Sequence, residues 1–261
     1  VLVIVLWMLG DVLWHGVSRL SPSFLLAAPA DAGRTGGIGP ILVSTVLILA
    51  VAVMVALPMG IGVAVWLSEY ARRGSRLAMT LRTGFDVLAG VPSIVFGLFG
   101  NAFFSLYLGL GFSILSGGLT LACMILPILV STSEAGLTVV SDDWRRGAAA
   151  LGMTRTGAVF HILLPAAAPA ISAGLLLGIG RATAETAALI FTSGYSDRMP
   201  GSLFDSGRAL AVHIYDLSMN VTGGDASAYA SAVVLIALIL AVNALALWLS
   251  DRWISRRIAH T

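Results

Sequence analysis

Residues 142–165, DDWRRGAAALGMTRTGAVFHILLP, form a polar stretch wedged between two hydrophobic runs. The pattern predicts a short helix opened by Ser141 or Asp142, stopped at Gly152, and restarted at Thr154 as far as Pro165. Ser and Asp accept hydrogen bonds from the free N–H groups of a first helical turn, and glycine enters the left-handed cap conformation cheaply. A folded, basic loop of this length is more than a membrane protein needs to join two helices, so the stretch reads as a docking surface. In its first helix, Asp143 to Leu151, the small residues Gly147, Ala148 and Ala149 would let a partner's groove approach closely. Trp144 supplies a large anchor of the kind that dominates interfaces.

The rest of the chain is built for lipid. Of its 261 residues 58% are hydrophobic and 11% charged, whereas soluble domains carry roughly 25% charged residues. Apolar runs at 40–67, 86–107, 112–133, 166–192 and 228–250 each hold the ~20 residues a helix needs to cross ~30 Å of hydrocarbon. Residues 1–17 are expected to be a sixth span whose start lies before Val1. A signal peptide is the alternative, which Asp11 and His15 suit poorly. The expected fold is an all-α membrane protein with six transmembrane helices in one domain over residues 1–261. Residues 134–165 would be an inner loop and 192–228 an outer one, with Gly207–Ser218 as a short interfacial helix or gate element.

Arginine placement sets the orientation. Arg72, Arg73, Arg76 and Arg82 crowd one loop, Arg145, Arg146 and Arg155 another, and Arg252, Arg256 and Arg257 the C-terminus. The alternate loops hold Arg19, Arg34, Arg198 and Arg208, the last two among Asp197, Asp205, Asp216 and Asp225. The positive-inside rule then puts the Arg-rich loops and both termini in the cytoplasm. A formal charge of +2 gives no reason to expect nucleic acid. Cys123 is alone, which leaves no disulfide within the chain and suggests packing, and the four His residues have no ligand spacing. Pro58 with Gly60 and Gly62, Gly90 with Pro92, Pro127, and Pro169 are expected to kink four spans. They mark either a bundle bent around a path or the ordinary tolerance of membrane helices. Gly174 and Gly178 form a small-xxx-small pair for close helix approach.

The loop resembles the "EAA" signature, E-A-A-x3-G-x9-I-x-L-P, of membrane subunits of binding-protein-dependent ABC importers. Gly152 is followed by nine residues and then Ile162, Leu163, Leu164 and Pro165. The small-residue box falls at Arg146-Gly147-Ala148, so Arg146 stands where the family has Glu and Gly147 where it has Ala. Asp86-x3-Gly90-Val91-Pro92-Ser93-Ile94-Val95-x-Gly97-Leu98-Phe99 and Arg181-Ala-x-x-Glu185-Thr186-Ala187 resemble phosphate importer permeases. His213-Ile214-Tyr215 is similar to the PstA-type subunit rather than its PstC-type partner.

The resemblance implies a type I ABC importer permease in the bacterial inner membrane, forming half of a phosphate pathway. A PstC-type permease would complete it, a PstB-type ATPase dimer would lie beneath, and a PstS-type phosphate-binding protein would dock above. The loop would be the cytoplasmic coupling helix, with Trp144, Arg146, Gly147, Ala148 and Gly152 meeting the ATPase. The chain has no Walker A pattern, so ATP and Mg belong to the partner subunit, and neither enzymatic activity nor a cofactor is expected of this one.

Arg at a span's centre costs about 2.5–3.5 kcal/mol. Arg181 is expected just past the middle of the fifth span, with Glu185 one turn on, where the two could neutralise one another. The pair either glues helices together or offers Arg181 as a guanidinium fork to an anion, with Glu185 holding it between passages. Ser93 either gives a hydroxyl to phosphate or bonds a backbone carbonyl freed at Pro92, and Arg82 and Asp86 either pair or cap their helix. Three other functions compete: a permease for phosphonate, sulfate or molybdate, a secondary transporter using Arg181 and Glu185 as a relay, and an intramembrane enzyme. The second shows no inverted repeat, and the third no paired catalytic residues.

Overall fold

The structure, a computed structural model, describes residues 2–72 and 74–258, with backbone alone at 246–247 and 249–258. Arg73 and His260, and the side chains of Arg252, Arg256 and Arg257, lie outside the described residues. Apart from the hairpin β1 (Pro29–Ala30) with β2 (Thr35–Gly36), the ordered elements are helical. In chain order they are α1 (Leu2–Val17), α2 (Pro22–Leu26), α3 (Gly39–Val65), α4 (Arg76–Gly90), α5 (Ser93–Gly100) and α6 (Ile114–Val139). Then come α7 (Asp142–Ala150), α8 (Arg155–Ala158), α9 (Leu164–Thr183), α10 (Ala187–Ile190), α11 (Leu210–Met219) and α12 (Asp225–Ile258). π turns extend α3 through Trp66–Tyr70 and α5 through Asn101–Tyr107, and another, Val159–Leu163, joins α8 to α9.

Among the described residues four helical stretches are long and apolar enough to cross a bilayer: Gly39–Tyr70, Ile114–Val139, Arg155–Thr183 and Asp225–Leu245. The expected span at 86–107 is instead part of a pair, Arg76–Gly90 and Ser93–Tyr107, bent by 105°. Proline disfavours the helical conformation in the residue before it, and Val91 is extended, with φ −69° and ψ 132°. The span expected at 166–192 begins at Arg155 and ends at Thr183. Pro165 does not stop the helix: the wide turn before it ends with Leu164 N–H donating to Val159 O, and the chain passes straight on into α9. The 16 residues of Leu2–Val17 form an apolar helix shorter than the other candidates. Its two polar residues meet each other and α12: His15 Nδ1 lies 3.2 Å from Asp11, and its ring 5.1 Å from that of Tyr229.

Contacts divide the chain into two units. The first combines Val1–Val53, Pro92–Ala122 and Arg181–Ala241. Phe24, Ile38, Ile41, Leu210 and Ala230 form a core there. Thr45 Oγ1 accepts a hydrogen bond from Leu210 N (2.9 Å), which anchors the first turn of α11 to α3. Most of Gly207–Ser218, expected to be a short interfacial helix or gate element, lies in α11, where Leu210, Ala211, Val212, His213 and Leu217 are buried. In the segment before it, the Thr192, Asp205 and Leu203 carbonyls accept from Ser113, Ile114 and Leu115 N–H at the start of α6. Such bonds satisfy N–H groups a helix leaves open at its N-terminus.

The second unit combines Met54–Val91, Cys123–Gly180 and Val242–Thr261. Its cores are Ala64, Leu137, Val159, Leu163 and Ala167, and Leu67, Ala78 and Val130. Helices α6 and α9 approach closely at small residues, as Gly174 and Gly178 predict. A Cβ on Gly174 would lie 2.9 Å from Thr132 Cβ, and one on Gly178 would lie 3.3 Å from Ile125 Cβ. Gly174→Val should therefore cost about 1–3 kcal/mol of stability by overpacking. The unfolding midpoint in detergent should fall, while Gly62→Val, where a Cβ meets nothing within 4 Å, should leave it nearly unchanged.

Candidate functional site

The loop from Ser141 to Pro165 is built largely as its caps dictate. Ser141 Oγ accepts from Asp143 N (3.3 Å) at the start of α7, and Thr154 Oγ1 accepts from Gly157 N (3.1 Å) at the start of α8. Between them Gly152 takes φ +72°. Gly152 N–H then donates to Ala149 O and Met153 N–H to Ala148 O, closing a Schellman motif. Trp144, Arg146 and Gly147 are exposed. Arg146 pairs with Asp143 at 2.8 Å, with both side chains mostly in the open, so this pair adds little stability. Ala148 corrects the expectation for the small-residue box: it is buried, facing its own chain. It lines a cavity of about 270 Å³ with Glu69, Arg145, Ala149, Met153 and Arg155.

What holds α7 in place is a residue the sequence reading passed over. The Arg145 guanidinium donates to Glu69 Oε1 from Nη2 (2.6 Å) and to both Glu69 oxygens from Nε (3.2 Å). It also donates to Val140 O (2.6 Å), Leu137 O (2.9 Å) and Asp142 Oδ1 (3.2 Å). Glu69 is 5% exposed, and removing one partner of a buried pair costs about 3–5 kcal/mol. The hydrogen bond to Glu69 raises the Arg145 pKa above its ordinary value, against the opposing effect of burial. Arg155 adds a second tie, donating to the Glu69 carbonyl and lying 5.0 Å over the Tyr70 ring. A signal was present in the sequence: Glu69 is the lone acid closing an apolar run, so it demanded a cation. Nothing local said which one.

Arg181, Glu185 and Ser93 all fall in the first unit. Arg181 is exposed in the last turn of α9, well past the middle of the Arg155–Thr183 span. A helix C-terminus favours a cation there by about 0.3–1 kcal/mol. Glu185 does not sit one turn further along the same helix, because α9 has ended. It is buried, and its Oε1 accepts from Ala188 N (3.1 Å), capping the start of α10. The expected Arg181–Glu185 ion pair is accordingly absent among the described residues, where Arg181 has no charged partner. Helix α10 in turn packs on α5, where a Cβ on Gly97 would lie 2.8 Å from Ala188 Cα. Ser93 opens α5 half-buried, and its hydroxyl makes no hydrogen bond among the described residues.

Arg82 pairs with Glu134 (2.6 Å) and donates to Leu67 O (3.3 Å), rather than pairing with Asp86. These residues, with Phe85 and Thr138, line a cavity of about 460 Å³ in the second unit. Among the described residues no cluster of acids, His and Cys could hold a metal ion.

In α11, His213 is buried and the Arg208 guanidinium lies 3.4 Å from its Nδ1. Because arginine can only donate, Nδ1 must accept, which fixes the neutral tautomer. Arg208 also pairs with Asp216 at 3.3 Å.

A family described as "Binding-protein-dependent transport system inner membrane component" matches residues 56–258. The chain is 33% identical over 250 residues to the "Probable ABC transporter permease protein YqgI" of Bacillus subtilis, covering 90% of this chain and 85% of that one. It is 34% identical over 204 residues to the "Phosphate transport system permease protein PstA 2" of Mycobacterium bovis, covering 77% of this chain and 66% of that one. A bacterial ABC transporter involved in the import of the acidic polysaccharide alginate has a similar fold, with a TM-score of 0.62 at 14% identity over 94% of this chain and 88% of that one.

Burial, then the charge of Arg208, lowers the His213 pKa to about 4, against the opposite pull of Asp216 and Asp197. An unfolded chain takes up this proton near pH 6.5, so between 6.5 and 4 it binds more protons than the folded one, and stability is lost as the pH is lowered through that window. The expected loss reaches on the order of 3 kcal/mol. His213→Gln should flatten that part of the pH–stability curve measured by thermal unfolding in detergent.

Proposed function

The chain belongs to the family of binding-protein-dependent transport system inner membrane components, and on that premise we propose that it is the PstA-type permease subunit of an ATP-driven phosphate importer. It acts as one membrane domain in the bacterial inner membrane, with the 134–165 loop and both termini in the cytoplasm and the 192–228 segment outside. A PstC-type permease supplies the other half of the path. An ATPase dimer of the PstB type binds ATP and Mg and pushes on α7, and a PstS-type protein delivers phosphate from outside. The observation that carries the reading is the exposed short helix α7, capped at both ends and presenting Trp144, Arg146 and Gly147 outward.

Arg181 supports an oxyanion as cargo. Its guanidinium is exposed and has no ionic partner among the described residues, and a planar fork of donors suits phosphate better than an ammonium group does. Glu185, committed to the start of α10, acts by holding that helix rather than by gripping Arg181. Ser93, whose hydroxyl beside the α4–α5 bend makes no hydrogen bond among the described residues, is a second contact for the anion. The relatives named for phosphate favour it over phosphonate, sulfate or molybdate.

Arg181→Gln should abolish uptake of radiolabelled phosphate into vesicles while the complex still assembles. Uptake near wild type would reduce Arg181 to a helix-end charge, and competition by excess sulfate or molybdate would redirect the substrate. Gly152→Pro forces φ near −65° where the turn needs +72°. It should release the ATPase subunit from complexes purified through this chain. Retained binding would remove the loop from that role.

A further inference from the structure

Helix α7 has nine residues, too few to hold its shape or direction unaided. Seven of the nine are exposed, leaving only Ala148 buried and Arg145 half-buried against the rest of the unit. Ala148 contributes a methyl contact, which resists compression and little else. Apart from the chain's own links at its two ends, sideways or pulling movement of α7 is resisted by the side-chain bonds of Arg145.

Arg145 is unusually well equipped for this. Its Nε, Nη1 and Nη2 donate to acceptors on three segments: the Glu69 carboxylate at the end of α3, the Leu137 and Val140 carbonyls at the end of α6, and Asp142 on α7 itself. Carbonyls at helix C-termini carry partial negative charge and attract a cation. The planar fork also fixes direction as well as distance, which a lysine ammonium cannot do. Arg155, donating to the Glu69 carbonyl, braces the same point from α8.

We propose that Glu69 and Arg145 are the positioning residues through which a push on α7 reaches α3 and α6, making the joint rigid. This rests on the reading of α7 as the ATPase contact. In the assembled importer a loose joint lets α7 follow the motor while the spans stay behind, so ATP is hydrolysed without transport. The joint thus governs coupling, separately from whether the ATPase binds.

The test uses the complete complex in proteoliposomes, with inorganic phosphate as probe, and reads phosphate carried per ATP hydrolysed alongside ATPase co-purification. In Glu69→Gln, which keeps size but loses charge, the ATPase subunit should still co-purify and ATP hydrolysis persist, with phosphate per ATP at least tenfold lower. Arg145→Lys, which keeps charge but loses the fork, should lower the ratio less. A wild-type ratio in Glu69→Gln overturns the joint and leaves ATPase docking standing. Failure of the unaltered chain to bring down an ATPase overturns the docking reading itself. Should Glu69→Gln not accumulate in membranes, Arg145→Lys decides: a lowered ratio supports the joint and a wild-type ratio overturns it.

Discussion

A carboxylate that closes an apolar helix and is 5% exposed has to be neutralised where it lies. Glu69 imposes that constraint, and the loop beyond α6 is arranged around it. Arg145 answers the charge, the last carbonyls of α6 take up its remaining donors, and α7 is left pointing where this arrangement puts it. The Gly152 turn and the Thr154 cap then return the chain so that Arg155 reaches the same spot. A short exposed helix is thereby given a fixed direction without a hydrophobic core of its own.

The Arg76–Tyr107 stretch bends by 105°, and π turns widen the helices at Trp66–Tyr70, Asn101–Tyr107 and Val159–Leu163. Lipid offers no partner to a freed N–H or C=O, so an irregularity in a span has to be satisfied by protein. Here the π turns keep their bonds within the chain, as in Ala71 N to Trp66 O and Leu164 N to Val159 O. The Val91–Pro92 bend and the break after Thr183 are each followed by a restart, the second capped by Glu185. The short helices that restart there, α5 and α10, pack on each other at Gly97.

The sequence disclosed what is written locally. Ser141, Gly152 and Thr154 marked the loop because caps and left-handed turns depend on a few adjacent residues. Gly174 and Gly178 marked the α6–α9 approach because glycine spacing records contact directly. Three features escaped, each for a stated reason. Glu69 and Arg145 lie 76 residues apart, so only the fold introduces them. The break after Thr183 contains neither Gly nor Pro, and an i,i+4 pairing across it looked reasonable. The helix passes Pro165 because the turn before it is already wide, a possibility that a proline rule treats as a stop. Of the candidate residues, Trp144, Arg146 and Gly147 are exposed, and Ala148 is buried against its own chain.

The wide turn at Val159–Leu163 also bears on the nine-residue interval between Gly152 and Ile162. A π turn accommodates one residue more than an α turn, and each residue of a helix advances it by about 100°. Losing a single position there would close the π turn to an α turn, and the helix beyond would keep its facing, so Arg181 would not turn. The spare residue is thus a tolerance built into the interval, some twenty residues before Arg181.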